Sequence, residues 1–133
     1  YAIRAVWELS REREGLRTAA EIARAQGIPP KYLPQIVAEL VQAGLLSSAR
    51  GYRGGLRLNR EPESITLLDI IEAVQGRLDM FDCQRGPIDC MHLPGCELKA
   101  VYTRAQGALE TVFRETKLTD IHFQTDTRGP DAR

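Results

Sequence analysis

The 133-residue chain balances 18 Lys/Arg against 18 Asp/Glu and holds 43% hydrophobic residues and three cysteines. That suffices for one ordinary domain with a modest core and no disulfide scaffold. No apolar run approaches twenty residues, which excludes a transmembrane helix, and an odd cysteine count is a poor basis for a secreted framework. A cytoplasmic location is therefore expected, with no membrane partner. The chain opens on Tyr1, already inside an apolar pattern, so further residues are expected upstream. Neutrality conceals a division. Residues 1–60 hold ten basic and five acidic side chains, a net +5, and residues 61–133 hold eight and thirteen, a net −5. A basic half favours a polyanionic partner.

A first helix is predicted over Tyr1–Arg13, with Ala2, Ala5, Val6 and Leu9 on its apolar face and Gly15 closing it. Thr18 opens a second helix. Glu21, three residues on, completes a capping box, Ala20, Ile22 and Ala23 form the buried side, and Gly27 supplies the stop. A third helix starts near Pro30 or Lys31 and runs to Ala43 through Leu33, Ile36, Val37, Leu40 and Val41. Pro34 is tolerated only in a first turn, so this helix begins later than Pro30 or bends. Leu45–Arg50 and Leu56–Arg60 read as short strands around the glycine-rich tip Gly51–Gly55. Thr66 and Asp69 cap a fourth helix that ends at Gly76. Residues 77–95 read as irregular. A long helix follows over Cys96–Thr116, striped by Leu98, Val101, Tyr102, Ala105, Leu109, Val112 and Phe113. A short turn at Thr119–Ile121 follows, and then a polar tail expected to be disordered.

The fold expected is mainly α with a small β-hairpin: a winged helix-turn-helix followed by a long helix. Its divisions are 1–60 (winged domain), 61–76 (connecting helix), 77–95 (cysteine loop), 96–121 (long helix and terminal turn) and 122–133 (tail). The winged plan puts the third helix's N-terminal end in a major groove. There Lys31 reaches phosphate, while Tyr32 and Gln35 touch base edges or methyl groups, glutamine having the donor–acceptor pair that reads adenine. Arg50, Tyr52 and Arg53 at the wing tip suit a narrow minor groove. Arg17 and Thr18 stand where the second helix offers its free amides to phosphate. Double-stranded DNA is the expected partner. A winged domain that docks on protein is the competing reading.

Cys83, Cys90 and Cys96 fall within fourteen residues, with gaps of six and five. The gaps are wider than a zinc knuckle's, and glycines and prolines let the loop curve around a polynuclear centre. Iron–sulfur clusters favour thiolates, usually four. His92 is the nearest imidazole for a fourth ligand, although a loop histidine is more often an exposed bystander. Asp82, Asp89 and Glu97 are the oxygen candidates, and a partner subunit, a solvent molecule or a segment upstream of Tyr1 are the other sources of a fourth ligand. A metal-free thiol/disulfide switch is the competing reading of the same cysteines. No phosphate-cradling glycine loop, zinc-protease histidine pair or nucleophile–base set is present, so no enzyme is expected.

These stretches together resemble the Rrf2 family of bacterial regulators, of the IscR/NsrR type. The matching segments are Tyr1-Ala2-Ile3-Arg4-Ala5, Glu21-Ile22-Ala23, Ile28 through Leu33, and Ala43-Gly44-Leu45-Leu46. The most specific are Ser48 through Gly55 and Ile65 through Ile70, followed by the three cysteines. The resemblance implies a homodimeric transcription factor, usually a repressor, with the long helix as its dimerisation helix. It implies a 2Fe–2S or 4Fe–4S cluster on Cys83, Cys90 and Cys96, and control by redox, iron or nitric oxide status. The wing arginine maps to Arg50 or Arg53, and the recognition residues to Lys31, Tyr32 and Gln35. The cluster-assembly branch carries a histidine three residues after the third cysteine, where this chain has Lys99. The nitric-oxide branch takes an acidic ligand from the N-terminal segment of the partner, just before the position of Tyr1, and the first cysteine gap here is one residue longer than in those branches.

Overall fold

Residues 1–124 are described by a computed structural model. Six α-helices and one hairpin follow in the order α1 (Ala2–Ser10), α2 (Ala19–Gln26), α3 (Leu33–Gln42), β1 (Leu46–Ala49), β2 (Gly55–Leu58), α4 (Leu67–Gln75), α5 (Asp82–Arg85) and α6 (Glu97–Glu115). The chain is mainly α with a two-stranded antiparallel wing, as its pattern predicts.

Helix α1 stops at Ser10, three residues short of the prediction. Arg11, Glu12, Arg13 and Glu14 are all exposed. Propensity alone does not hold a turn that buries nothing. Thr18 caps α2 through the full box. Its hydroxyl accepts from the Glu21 amide at 3.2 Å, and the Glu21 carboxylate accepts from the Thr18 amide at 2.8 Å. Gly27 closes α2 with φ of 59°, a left-handed position that costs glycine little. Ala20 is exposed rather than buried; Ala19 packs on the core instead. Pro30–Tyr32 form a separate 3-10 turn. α3 then begins at Leu33, so Pro34 lies in its first turn, where a missing N–H costs nothing.

The wing pairs Leu46 with Leu58 and Ala49 with Gly55. It is sewn back onto the helices by Arg17, whose amide donates to the Leu56 carbonyl at 3.0 Å and whose carbonyl accepts from the Leu56 amide at 2.7 Å. Gly55 permits this approach, since a Cβ there would lie 3.0 Å from the Arg17 carbonyl. A second capping box starts α4, with Thr66 and Asp69 exchanging bonds of 2.9 and 3.1 Å.

One core joins these parts. Val6, Ile22, Leu33, Leu40, Leu45, Ile65 and Ile70 are almost fully buried in it, and Leu118 returns to it from beyond α6. The Leu118 amide donates to the Ile65 carbonyl at 2.8 Å, in a 3-10 turn over Leu118–Asp120. The terminal segment departs from the expected tail. Trp7 donates its indole N–H to the Ile121 carbonyl at 2.9 Å, and Phe123 meets the Trp7 ring edge-on at 5.1 Å. An aromatic side chain that finds such a wall stays packed. The rest of the predicted tail, 125–133, lies outside the described residues.

Candidate DNA-reading surface and cysteine cavity

The basic half is not uniformly available. Its ion pairs engage Arg11 and Arg17 with Glu8, Arg13 with Glu63 and Arg60 with Asp69. Among the described residues, Lys31, Arg50 and Arg53 enter no ion pair. All three are exposed. Arg4, Arg24 and Arg57 likewise enter no ion pair, so the free positive charge lies on the turn before α3 and on the wing, and also on α1 and α2.

Arg17, expected at a phosphate, donates its guanidinium to Glu8 at 2.6 Å and is half-buried. Gln26 donates to the other Glu8 oxygen at 2.5 Å, and Arg11 approaches it at 3.4 Å. Burial pushes the Glu8 carboxyl up. The bonds from Gln26 and Arg17 and the charges of Arg11 and Arg17 outweigh burial and hold it below its ordinary value. A charged residue buried with its partners was unreadable from local sequence, because Glu8, Arg17 and Gln26 come from three segments.

Lys31 and Tyr32 form the turn that presents α3. The Lys31 ammonium lies 5.0 Å above the Tyr32 ring, and Tyr32 stacks on Tyr1 at 5.5 Å. Gln35 is exposed and donates to Glu39 at 2.9 Å. Thr18 uses an oxygen lone pair for its cap and retains its O–H for an outside acceptor. At the wing tip Tyr52 is 95% exposed, with the Arg53 guanidinium 5.8 Å above its ring. Arg53 holds a left-handed φ of 68°, a strained position that a functional site tolerates. Tyr1 is a contact the sequence did not flag. A tyrosine opening an apolar helix reads simply as core.

The second region lies around α5 and the start of α6. Residues 77–95, expected to be irregular throughout, contain α5, which carries Cys83 at its second position. Asp82 in its first turn and Arg85 in its last complement the helix dipole. Cys96 is the N-terminal cap residue of α6. Cys90 belongs to the loop between. All three thiols are free, half-buried and line one cavity of about 390 Å³. Its walls are Met80, Phe81, Ile88, Leu93, Leu98 and Tyr102, with Asp82, His92 and Lys99 as the other polar groups. The thiols share the cavity without converging on one point. Among the described residues no three His, Cys, Asp or Glu side chains are grouped to hold a metal ion. Of the four side chains expected as a fourth ligand, His92 and Asp82 line the cavity; Asp89 and Glu97 do not. The Asp82 side chain is 86% exposed and turned toward Arg85.

The apolar stripe of α6 divides in two. Val101, Ala105 and Val112 stay on the open side with Leu98, while Leu109 and Phe113 are half-buried. Tyr102, expected among the dimer contacts, stacks flat on Phe81 within the chain, ring centroids 3.6 Å apart. Gln106, one turn on, is the buried residue of α6. No sequence signal singled it out, since a glutamine in a polar helix reads as solvated.

A helix-turn-helix with a wing, followed by a long helix, is a winged-helix architecture. Residues 1–123 match the Rrf2 family model, described as an iron-dependent transcriptional regulator. The chain belongs to the Rrf2 family. It is 34% identical to protein aau3 of Rhizobium meliloti (strain 1021), over 91% of this chain and 79% of that protein. The structure of CymR (YrzC), the global cysteine regulator of B. subtilis, is similar with a TM-score of 0.74 and 30% identity, covering 90% of this chain and 88% of CymR. T. potens IscR is similar with a TM-score of 0.71 and 31% identity, covering 90% and 79%. The protein is a DNA-binding transcriptional regulator, not an enzyme. No helix among the described residues is long and apolar enough to cross a membrane.

Proposed function

We propose that the protein is a homodimeric repressor whose grip on DNA is set by an iron–sulfur cluster, of the 2Fe–2S or 4Fe–4S type, held by Cys83, Cys90 and Cys96. The observation that carries this reading is an apolar-walled cavity lined by all three thiols. The donor set fits the group in kind, because such clusters take thiolates in partly desolvated sites. His92, an exposed imidazole on the same cavity, is assigned as the fourth donor because neutral imidazole suits iron. Bound there, the cluster supplies a centre sensitive to redox, iron or nitric oxide status. The chain's own part is to bring α5, the loop and the first residue of α6 to that centre. Because the thiols stand apart around the cavity, gathering them requires the loop to close.

Lys31, Tyr32 and Gln35 are assigned to the major groove, Arg50, Tyr52 and Arg53 to the adjoining minor groove, and Thr18 to a phosphate. Arg17 is withdrawn from this set because Glu8 holds it. The open face of α6, with Leu98, Val101, Ala105 and Val112, is assigned to the second copy. A dimer reads two half-sites at fixed separation, so a small change at the hinge between α4 and α6 alters affinity. Anaerobic reconstitution with iron and sulfide tests the reading, followed by absorbance and by binding to a duplex selected from random sequence. Visible absorbance and a changed affinity are expected. A colourless protein that binds the duplex equally before and after treatment overturns it.

A metal-free thiol switch has one observation in its favour, that all three sulfurs are free and partly accessible. Mass spectrometry after peroxide treatment separates it, through a mass two units lower that returns with reductant.

A further inference from the structure

We propose that Gln106 is a clasp that passes the state of the cysteine segment to α6, a positioning residue for regulation rather than for DNA contact. The proposal rests on the reading that the cysteines control DNA binding, but not on which chemistry they undergo. Gln106 is 7% exposed on a helix whose other side chains are all more accessible. A buried carboxamide is tolerated only when its donors and acceptor are used. Here they are. Its oxygen accepts from the Met80 amide at 3.1 Å, and its nitrogen donates to Glu110 at 2.9 Å and, in close contact, to the Leu78 carbonyl.

Both backbone partners lie in the stretch between α4 and α5, whose other side-chain ties, an Arg77–Asp79 ion pair at 3.2 Å and a bond from Arg85 to the Asp79 carbonyl at 3.4 Å, do not reach α6. Within residues 77–80 the remaining backbone bond outside helices is from the Asp79 amide to the Arg77 carbonyl. Phe81 follows at once and stacks on Tyr102. Tyr102, Gln106 and Glu110 recur every four residues and so share one face of α6. Cys83 comes three residues after Met80. A movement of Cys83 toward Cys90 and Cys96 therefore pulls on a strand tied to α6 at two adjacent turns. The opposite face of α6 carries the exposed Val101 and Val112. The same helix thus receives the pull on one side and presents the assigned dimer surface on the other.

The test uses the full chain as wild type, Gln106→Leu and Gln106→Glu. Leucine leaves the Met80 amide and Leu78 carbonyl unpaired. Glutamate turns a donor into an acceptor against the Leu78 carbonyl and Glu110. Each protein is compared untreated, after iron–sulfide reconstitution, and after alkylation of its thiols with iodoacetamide. The readouts are hydrogen exchange along α6 and affinity for the selected duplex. Thermal melting and iron content check folding and loading. In wild type, at least one treatment is expected to change α6 exchange and to shift affinity about tenfold or more. In both variants that ratio falls toward one while iron content matches wild type. If reconstitution loads no iron, the cluster reading has failed and the clasp is judged on the alkylated protein alone. Ratios in the variants equal to wild type overturn the clasp, as does a wild type whose α6 and affinity respond to neither treatment. If the leucine variant melts early, the glutamate variant, which keeps the shape, decides.

Discussion

The DNA-reading half and the cysteine half are held together by different means. The first is built on a shared apolar core, in which α1, α2, α3, the wing and the start of α4 each contribute nearly inaccessible side chains. In the second, among the described residues, no apolar side chain from Ile71 to Lys117 is fully buried. Met80, Ile88, Met91, Leu98, Val101 and Val112 are instead substantially exposed. That half is secured to α6 by a stacked aromatic pair and a buried amide. A region organised this way stands at the low end of local stability. It is suited to respond to what binds it, whereas the reading half is suited to hold its shape. On the proposed function, the contrast puts the switch and the reader in separate parts of one small chain.

The strongest way to break this contrast is to cut into both halves equally. Leu40→Ala removes a fully buried side chain and is expected to cost about 2–5 kcal/mol, read as a lowered urea midpoint. Ile88→Ala, on the cysteine loop, is expected to stay within about 0.5 kcal/mol. Equal losses contradict the division. Next in size, Val101→Glu places two carboxylates against each other across the assigned twofold axis. The dimer's dissociation constant should rise roughly a hundredfold, equivalent to about 2.7 kcal/mol, in sedimentation equilibrium. The melting of the reading half should not move. Arg53→Ala should weaken duplex binding roughly tenfold and reduce the salt slope of log affinity by about one, leaving any chromophore unchanged.

The smallest effect sharpens the picture of the core. The Glu8 carboxyl is held below its ordinary value of 4.5. Its depressed folded value means that the stability it contributes is present above pH 4.5 and is lost as pH falls through that lower value. Acid titration of the urea midpoint should therefore be shallower in Glu8→Gln than in wild type below pH 4.5. An identical acid limb contradicts the role given to its partners.

Local chemistry carried much of the reading half in the sequence. Thr18 with Glu21, and Thr66 with Asp69, announce helix starts because a capping box is a contact within four residues. Gly27 and Pro34 act on their own backbone, so their positions bound helices before any tertiary contact is known. What was hidden depends on segments distant in the chain. Glu8 looks solvated until Arg17 and Gln26 arrive beside it. Phe123 sits in a polar stretch and packs only because Trp7 offers a wall 116 residues earlier. The cysteines' nearness in sequence showed that they share a loop. It did not show that α5 interrupts that loop, nor that Phe81, Tyr102 and Gln106 moor it to α6.

The most direct measurement of the central claim is native mass spectrometry of the protein purified and reconstituted under strict anaerobiosis. The account predicts a dimer carrying one cluster per chain, two or four irons each with matching sulfide, and loss of that mass in Cys83→Ser. A metal-free species under the same conditions, in wild type as in the variant, would contradict it.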